Sequence, residues 1–366
     1  MCVCGCVCVA VCVCVCVCVW LCVWLCVWLC VLQAGFYCPA GSTTGREREC
    51  GGVGFYCPPG STAPSQVASG YYSTPLHAPA SQRRGVALCE AGYYCIGDGH
   101  RRECAPGTYS SATGSTTACN GLCVAGRYGA GASVSPTCDG PCAPGYYCGV
   151  GSSSPAPNPC PGGRYGGGGD TNETCTGPCS AGYTCPSGSG SATALPCGSL
   201  TFFCPPQSAA PVAVDVGFYT TPTTAPVSLR TGQQQCEVGY TCPGDGSRLA
   251  CPPGTWGSQP GLSVRQCDGL CRPGRYGSLA GQTTPECEGE CSPGYWCPEG
   301  STSPQANACP GGVWGGVGNV NASCSGVCSA GHACPPRSTS PTQQPCGGPA
   351  FYCPEGASVP VPVGEG

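Results

Sequence analysis

Cysteine outnumbers every other side chain in this sequence that could do chemistry. There are 42 cysteines against 3 histidines, 18 acidic residues and 14 arginines, and no lysine. Thiols can pair by oxidation, ligate a soft metal or attack as nucleophiles, and their spacing separates these uses. Fourteen run through Cys89, Cys95, Cys104, Cys119, Cys123, Cys138, Cys142, Cys148, Cys160, Cys175, Cys179, Cys185, Cys197 and Cys204. Fourteen more follow at almost the same spacing. Cys236, Cys242 and Cys251 repeat the first three 147 residues on, and Cys267 and Cys271 repeat the next two 148 residues on. Cys287, Cys291, Cys297, Cys309, Cys324, Cys328, Cys334, Cys346 and Cys353 repeat the last nine 149 residues on. Cys38, Cys50 and Cys57 stand 147 residues ahead of Cys185, Cys197 and Cys204, as the tail of an earlier copy. A fixed long period marks an array of like modules, and a period carried by cysteine marks a disulfide scaffold. The sequence leaves the pairing open. It does make each fourteen-residue set able to close on itself, and it leaves one of Cys38, Cys50 and Cys57 without a scaffold partner.

Other chemistry has no constellation to rest on. His77, His100 and His332 lie far apart and read as solvated loop residues. No His-Glu-x-x-His, nucleophile elbow or phosphate loop is present. Zinc ribbons need Cys-x2-Cys pairs, whereas the short interval here is Cys-x3-Cys. Asp98, Asp170 and Asp245 are isolated, which argues against calcium. The expectation is a protein that is not an enzyme and carries no cofactor. The net charge of −4 and the absence of a basic stripe argue against nucleic acid. The pairs Arg83-Arg84 and Arg101-Arg102 read as solvated. Two Asn-x-Ser/Thr sequons, Asn172-Glu173-Thr174 and Asn321-Ala322-Ser323, sit 149 residues apart, just before Cys175 and Cys324. Equivalent placement marks them as glycosylation sites if the chain is secreted.

The elements that must position these residues are meagre. From Ala34 onward only 36 of 333 residues are Leu, Ile, Val or Phe, too few for an ordinary core. The 61 glycines and 40 prolines alone would imply disorder. Several bridges per module can replace the missing core, each worth about 2–4 kcal/mol. Gly-aromatic-aromatic-Cys recurs at Gly35–Cys38, Gly54–Cys57, Gly92–Cys95, Gly145–Cys148 and Gly294–Cys297, and Gly-Arg-Tyr-Gly at Gly126–Gly129, Gly163–Gly166 and Gly274–Gly277. Glycine serves a tight turn, and the aromatic can lie over a disulfide. No helical periodicity is sustained. The fold class expected is therefore small and disulfide-rich: an elongated tandem array of cysteine-rich modules, with short β-hairpins and coil and no extended helix. Its segments are residues 34–57, a partial unit; 58–88, a spacer; 89–204, a first unit; 205–235, a second spacer; 236–353, a second unit; and 354–366, a truncated spacer. Each full spacer is free of cysteine and repeats an aromatic pair before Thr-Pro, Tyr71-Tyr72 and Phe218-Tyr219. A flexible linker is the preferred reading of the spacers and a packed hairpin the alternative. Mid-repeat ends read as a fragment of a longer array.

Residues 1–33 stand apart. They alternate Cys with Val, then repeat Trp-Leu-Cys-Val, and carry no charge from residue 2 to 32. Three readings stay open: a translated simple repeat, a signal or anchor giving membrane attachment through residues 2–32, and a thiol cluster for metal. Alternating Val favours extended backbone over helix.

The run Gly-Tyr-Tyr-Cys-x-x-Gly-Ser, then Cys-Pro-Gly-Gly-Arg-Tyr-Gly and Cys-x3-Cys, resembles the ephrin-receptor-like cysteine-rich module of the growth-factor-receptor and EGF-like group. The likeness covers most of residues 34–353. Gly331-His332-Ala333-Cys334, Gly182-Tyr183-Thr184-Cys185 and Gly239-Tyr240-Thr241-Cys242 depart from its aromatic pair. The resemblance implies an extracellular or cell-surface array serving adhesion or spacing, with a protein or glycan partner. A ligand-binding receptor ectodomain is the alternative, and a thiol-rich metal-binding protein a poorer third.

Overall fold

A computed structural model of the chain describes residues 33–42 and 44–364, together with the backbone of two short strands, Val15–Cys16 and Cys26–Val27. Those two pair antiparallel, so extended backbone holds there. The readings made of the rest of residues 1–32 lie outside the described residues. No described helix is long and apolar enough to cross a membrane.

The fold is a tandem series of antiparallel hairpins. Every described strand forms its ladder with its neighbour in sequence, and each is two residues long except Tyr71–Thr74, Gly85–Leu88, Phe218–Thr221 and Gly232–Gln235 in the spacers, which have four; single parallel bridges, such as Tyr109 to Ser133, reach the next hairpin. The sole helical elements among the described residues are the 3-10 turns Ala80–Gln82 and Val227–Leu229. Two compact units are present, residues 1–178 with 185–192 and residues 179–184 with 193–366. The first spacer lies wholly within one and the second within the other.

The turn that opens each hairpin follows from its sequence. In Ala105-Pro106-Gly107-Thr108, proline presets the second position and Gly107 takes φ +82° at the third, and Thr108 N–H closes on Ala105 C=O at 3.0 Å. These are the requirements of a type II turn. Gly107 is needed for a second reason. Its N–H donates to Gly129 C=O of the next hairpin at 2.8 Å, and a Cβ there would overlap the carbonyl oxygen of Gly151, one hairpin further. Gly254 repeats this in the second unit: φ +81°, a 2.9 Å bond to Gly277 C=O, and the Gly300 carbonyl where its Cβ would be. At Gly107 and Gly254 the module thus meets its next two neighbours by close backbone approach, which only a residue without a side chain permits.

Sulfur takes the place of an apolar core. Apart from Val67, Thr220 and Thr241, the largest side chains with under 2 % exposure are cysteines. The bridges join each cysteine to the next in sequence, across 6 or 7 residues or across 15 or 16 (Cys142–Cys148 and Cys160–Cys175, for example), with Cα–Cα distances of 5.3–6.1 Å. Bridges across 6 residues bracket a type II turn with a left-handed glycine, as at Gly92 and Gly145. Long ones span a hairpin turn and its following loop. At the far end of the long bridges, Cys138, Cys175, Cys267, Cys287 and Cys324 hold φ between 45° and 57°, left-handed backbone rare outside glycine. Six of these pairs lie within the first fourteen-cysteine set and seven within the second, each joining members of its own set. Cys179 and Cys185 are disulfide-bonded too. In the partial unit Cys50 bonds Cys57, and Cys38 is the buried free thiol, donating to Thr44 C=O at 3.1 Å.

Three expectations need correction. The spacers are not flexible linkers. Tyr71–Thr74 pairs with Gly85–Leu88 over four registers, and Phe218–Thr221 with Gly232–Gln235 likewise. The aromatics beside cysteine are half-buried or exposed, Phe55 and Tyr147 among them, and where they meet a bridge, as Tyr93 and Tyr240 do, they pack on it only partly buried. The ring buried against a bridge comes from the spacer instead: Tyr72 on Cys89–Cys95 and Tyr219 on Cys236–Cys242. The arginine pairs are not simply solvated, since Arg83 is 8 % exposed and both Arg101 and Arg102 form ion pairs.

Candidate functional site

Two clusters and one cleft gather the polar chemistry. The first cluster locks each spacer to the module after it. Tyr72 Oη donates to Glu90 Oε1 at 2.7 Å, Arg101 Nη1 lies 3.3 Å from Glu90 Oε2, and its guanidinium stacks 4.1 Å from the Tyr93 ring centre. The second copy rebuilds it with Tyr219 to Glu237 at 2.9 Å, Arg248 to Glu237 at 3.2 Å and Arg248 over Tyr240 at 4.4 Å. Burial raises both phenols, and the neighbouring glutamates add to the rise. For Glu90, burial works to raise the carboxyl, but the bonds from Tyr72 and Arg101 outweigh it and the pKa falls below its ordinary value. Glu237 is lowered in the same way against the same opposing burial, by its own backbone amide, Tyr219 and Arg248.

The second cluster lies inside the spacer. The strand end and corner from Ser73 to Leu76 aim carbonyls inward, and buried Arg83 donates to Ser73 at 3.1 Å, to Leu76 at 2.7 Å and to Pro75. Arg230 donates to Pro222 in the same place. Arg83 is a charged plug for a fork of carbonyls and Arg230 its buried counterpart in the second spacer.

The cleft is in the second unit. A space of about 450 Å³ is lined by Pro252, Thr255, Arg265, Gln266, Gly269 and Leu270. A smaller one of about 240 Å³, lined by Thr241, Leu249, Ala250, Pro252 and Arg265, adjoins it. Its walls are largely aliphatic. Arg265 brings a positive charge, which helps lower the Asp245 carboxyl after the Ser247 hydrogen bonds and against burial. The first copy carries Tyr94, Arg102, Glu103, Ala105 and Thr117 at the positions of Thr241, Leu249, Ala250, Pro252 and Arg265. There Arg102 is held by Asp98 at 2.6 Å. The two copies therefore share a frame and differ at this surface.

The remaining sequence candidates are dispersed. His77 and His100 are exposed, whereas His332 is a half-buried strand residue opposite Pro345 whose Nδ1 is buried without a partner. Asp170 bonds Thr176 at 3.0 Å and Asp245 bonds Ser247, so these carboxylates tie down their own loops. Among the described residues, no group of three or more His, Cys, Asp or Glu is placed to hold a metal ion. Asn172 and Asn321 sit in exposed turns. The cleft and the tyrosine–glutamate–arginine joint were not singled out from sequence. The joint had a signal: Tyr72, Arg83, Glu90 and Arg101 all recur 147 residues on, while Arg84 and Arg102 become Thr231 and Leu249.

No protein-family model matches the chain, and no curated protein matches it in sequence.

Proposed function

We propose that this chain is a non-enzymatic extracellular scaffold, an array of ephrin-receptor-like cysteine-rich modules that serves adhesion or spacing. The observation that carries the reading is the bridging of successive cysteines through both copies, with sulfur forming the buried centre of each module. Such bonds persist in oxidising compartments and are reduced in the cytosol, so a fold that depends on them belongs outside it. The half-exposed aromatics and the short hairpin edges offer contact surface. An epitope-tagged full chain in intact cells tests this. Antibody should reach the tag on the cell surface or in the medium, and the scaffold cysteines should resist alkylation until reductant is added. A tag confined inside the cell, with freely alkylated thiols, would refute it.

A ligand-binding ectodomain is the second reading. The aliphatic cleft beside Arg265 favours it, because its lining residues Leu249, Ala250, Pro252 and Arg265 are not repeated in the first copy and the shared frame does not require them. Binding lost on Leu270→Asp and unaffected by Leu122→Asp at the equivalent position of the first copy would promote this reading over the spacer.

A further inference from the structure

We propose that Asn172 and Asn321 are acceptor sites for N-linked oligosaccharide, one in each copy, an assignment that rests on the extracellular reading above. Five turns of the same build precede the second cysteine of a long bridge. In each, the cysteine N–H donates to the carbonyl three residues back: Cys138 to Ser135, Cys175 to Asn172, Cys267 to Val264, Cys287 to Thr284 and Cys324 to Asn321, at 3.0–3.1 Å. The fold therefore does not demand asparagine at the first position, since serine, valine and threonine hold the same turn. Only the two turns that carry Asn also carry a hydroxyl two residues on without an intervening proline, as Thr174 and Ser323.

The geometry suits the chemistry. All three residues of both sequons are exposed. Asn172 Oδ1 accepts from Thr174 N–H at 2.9 Å and from Thr174 Oγ1 at 2.6 Å, and Asn321 Oδ1 accepts from Ser323 N–H at 3.0 Å. Donors on the amide oxygen draw density from the amide nitrogen and ease its loss of a proton. In the transfer, Asn Nδ2 bonds to the anomeric carbon of a lipid-pyrophosphate-linked oligosaccharide. The bond from that carbon to the pyrophosphate oxygen breaks, and Nδ2 gives up one proton, with no oxidant or reductant. A glycan at either turn displaces no buried side chain, so the finished fold can carry both.

The full chain, expressed behind a cleavable secretion leader, tests this whatever route its own N-terminus takes. Release by a peptide N-glycosidase in heavy-oxygen water, which hydrolyses the glycosylated amide to labelled aspartate, should mark the peptides of Asn172 and Asn321 and no others. Asn172→Gln and Asn321→Gln should each remove one glycan, and Thr174→Ala and Ser323→Ala should do the same while leaving the asparagines in place. Retention of the disulfide pattern in the alanine variants would show that the fold was kept. Secreted protein with neither asparagine marked, or only one, would overturn the proposal and leave the extracellular reading standing. Failure of the unfused chain to leave the cell would instead count against that reading alone.

Discussion

The spacers and the cystine modules they join hold a chain poor in apolar residues by different means. The modules have two-residue strands, a bridge across each turn and almost nothing else buried. The spacers have no cysteine and use four-residue ladders, a buried arginine filling a fork of carbonyls, and a tyrosine set against the next module's first bridge. The difference teaches that absence of cysteine in such an array does not mean absence of structure. Hydrogen bonding to an ion can stand in for a bridge where the backbone supplies enough inward carbonyls.

Reduction should separate the two most strongly. A bridge closing a 15-residue loop is worth about 3 kcal/mol, and the modules have no apolar core to replace it. With all bridges reduced, amide protection should vanish from the modules, and the last amides to exchange should be those of the ladders Gly85–Leu88 and Gly232–Gln235. Persistent protection at Gly126 or Gly274 would contradict this. A backbone substitution should come next. Gly254→Ala places a side chain at left-handed φ, costing about 1–2 kcal/mol, and against the Gly300 carbonyl besides. The expected loss exceeds 2 kcal/mol by that reasoning, localised by hydrogen exchange to the modules from Gly254 to Gly300. Arg83→Met should cost less, about 1–3 kcal/mol, by leaving carbonyls of Ser73 and Leu76 unpaired. Its exchange signature should be confined to the first spacer, leaving every bridge intact.

These contrasts were unevenly legible in the sequence. Cysteine period, Pro-Gly turns and the lack of helical pattern lead to a tandem hairpin array, because each is a local constraint. Bridge partners were not legible, since parity closes each set without choosing among its members. The deciding geometry, a type II turn bringing Cys142 and Cys148 to 6.0 Å, is three-dimensional. Arg83 was read as solvated because a buried arginine is rare and its acceptors are backbone atoms with no sequence signature. Comparing the copies would have singled it out, since Arg83 recurs as Arg230 while Arg84 does not. The cleft at Arg265 comes from substitutions that leave the cysteine frame untouched, so the period that reveals the fold hides it.

The smallest expected effect is on acid stability. Glu90 and Glu237 have lowered pKa values in the fold, so the bonds they accept stabilise it above the unfolded carboxyl value, about 4.3. That contribution is lost as pH falls through the lower folded values. The double variant Glu90→Gln and Glu237→Gln should be slightly less stable than the parent near neutrality, where the contribution is fully present, and should converge with it below about pH 4, flattening the acid limb. Both side chains are substantially exposed, so the change should be slight. An unchanged acid limb would show that the joint is held by ring packing on the bridge alone.

Peptide mapping of the native chain without reduction tests the central claim most directly. Digestion and mass spectrometry should recover cross-linked peptides for Cys104–Cys119, Cys123–Cys138 and Cys160–Cys175, for their counterparts Cys251–Cys267, Cys271–Cys287 and Cys309–Cys324, and for the short pairs such as Cys142–Cys148 and Cys291–Cys297. A dominant cross-link that skips a cysteine, or that joins the Cys89–Cys204 set to the Cys236–Cys353 set, would contradict it.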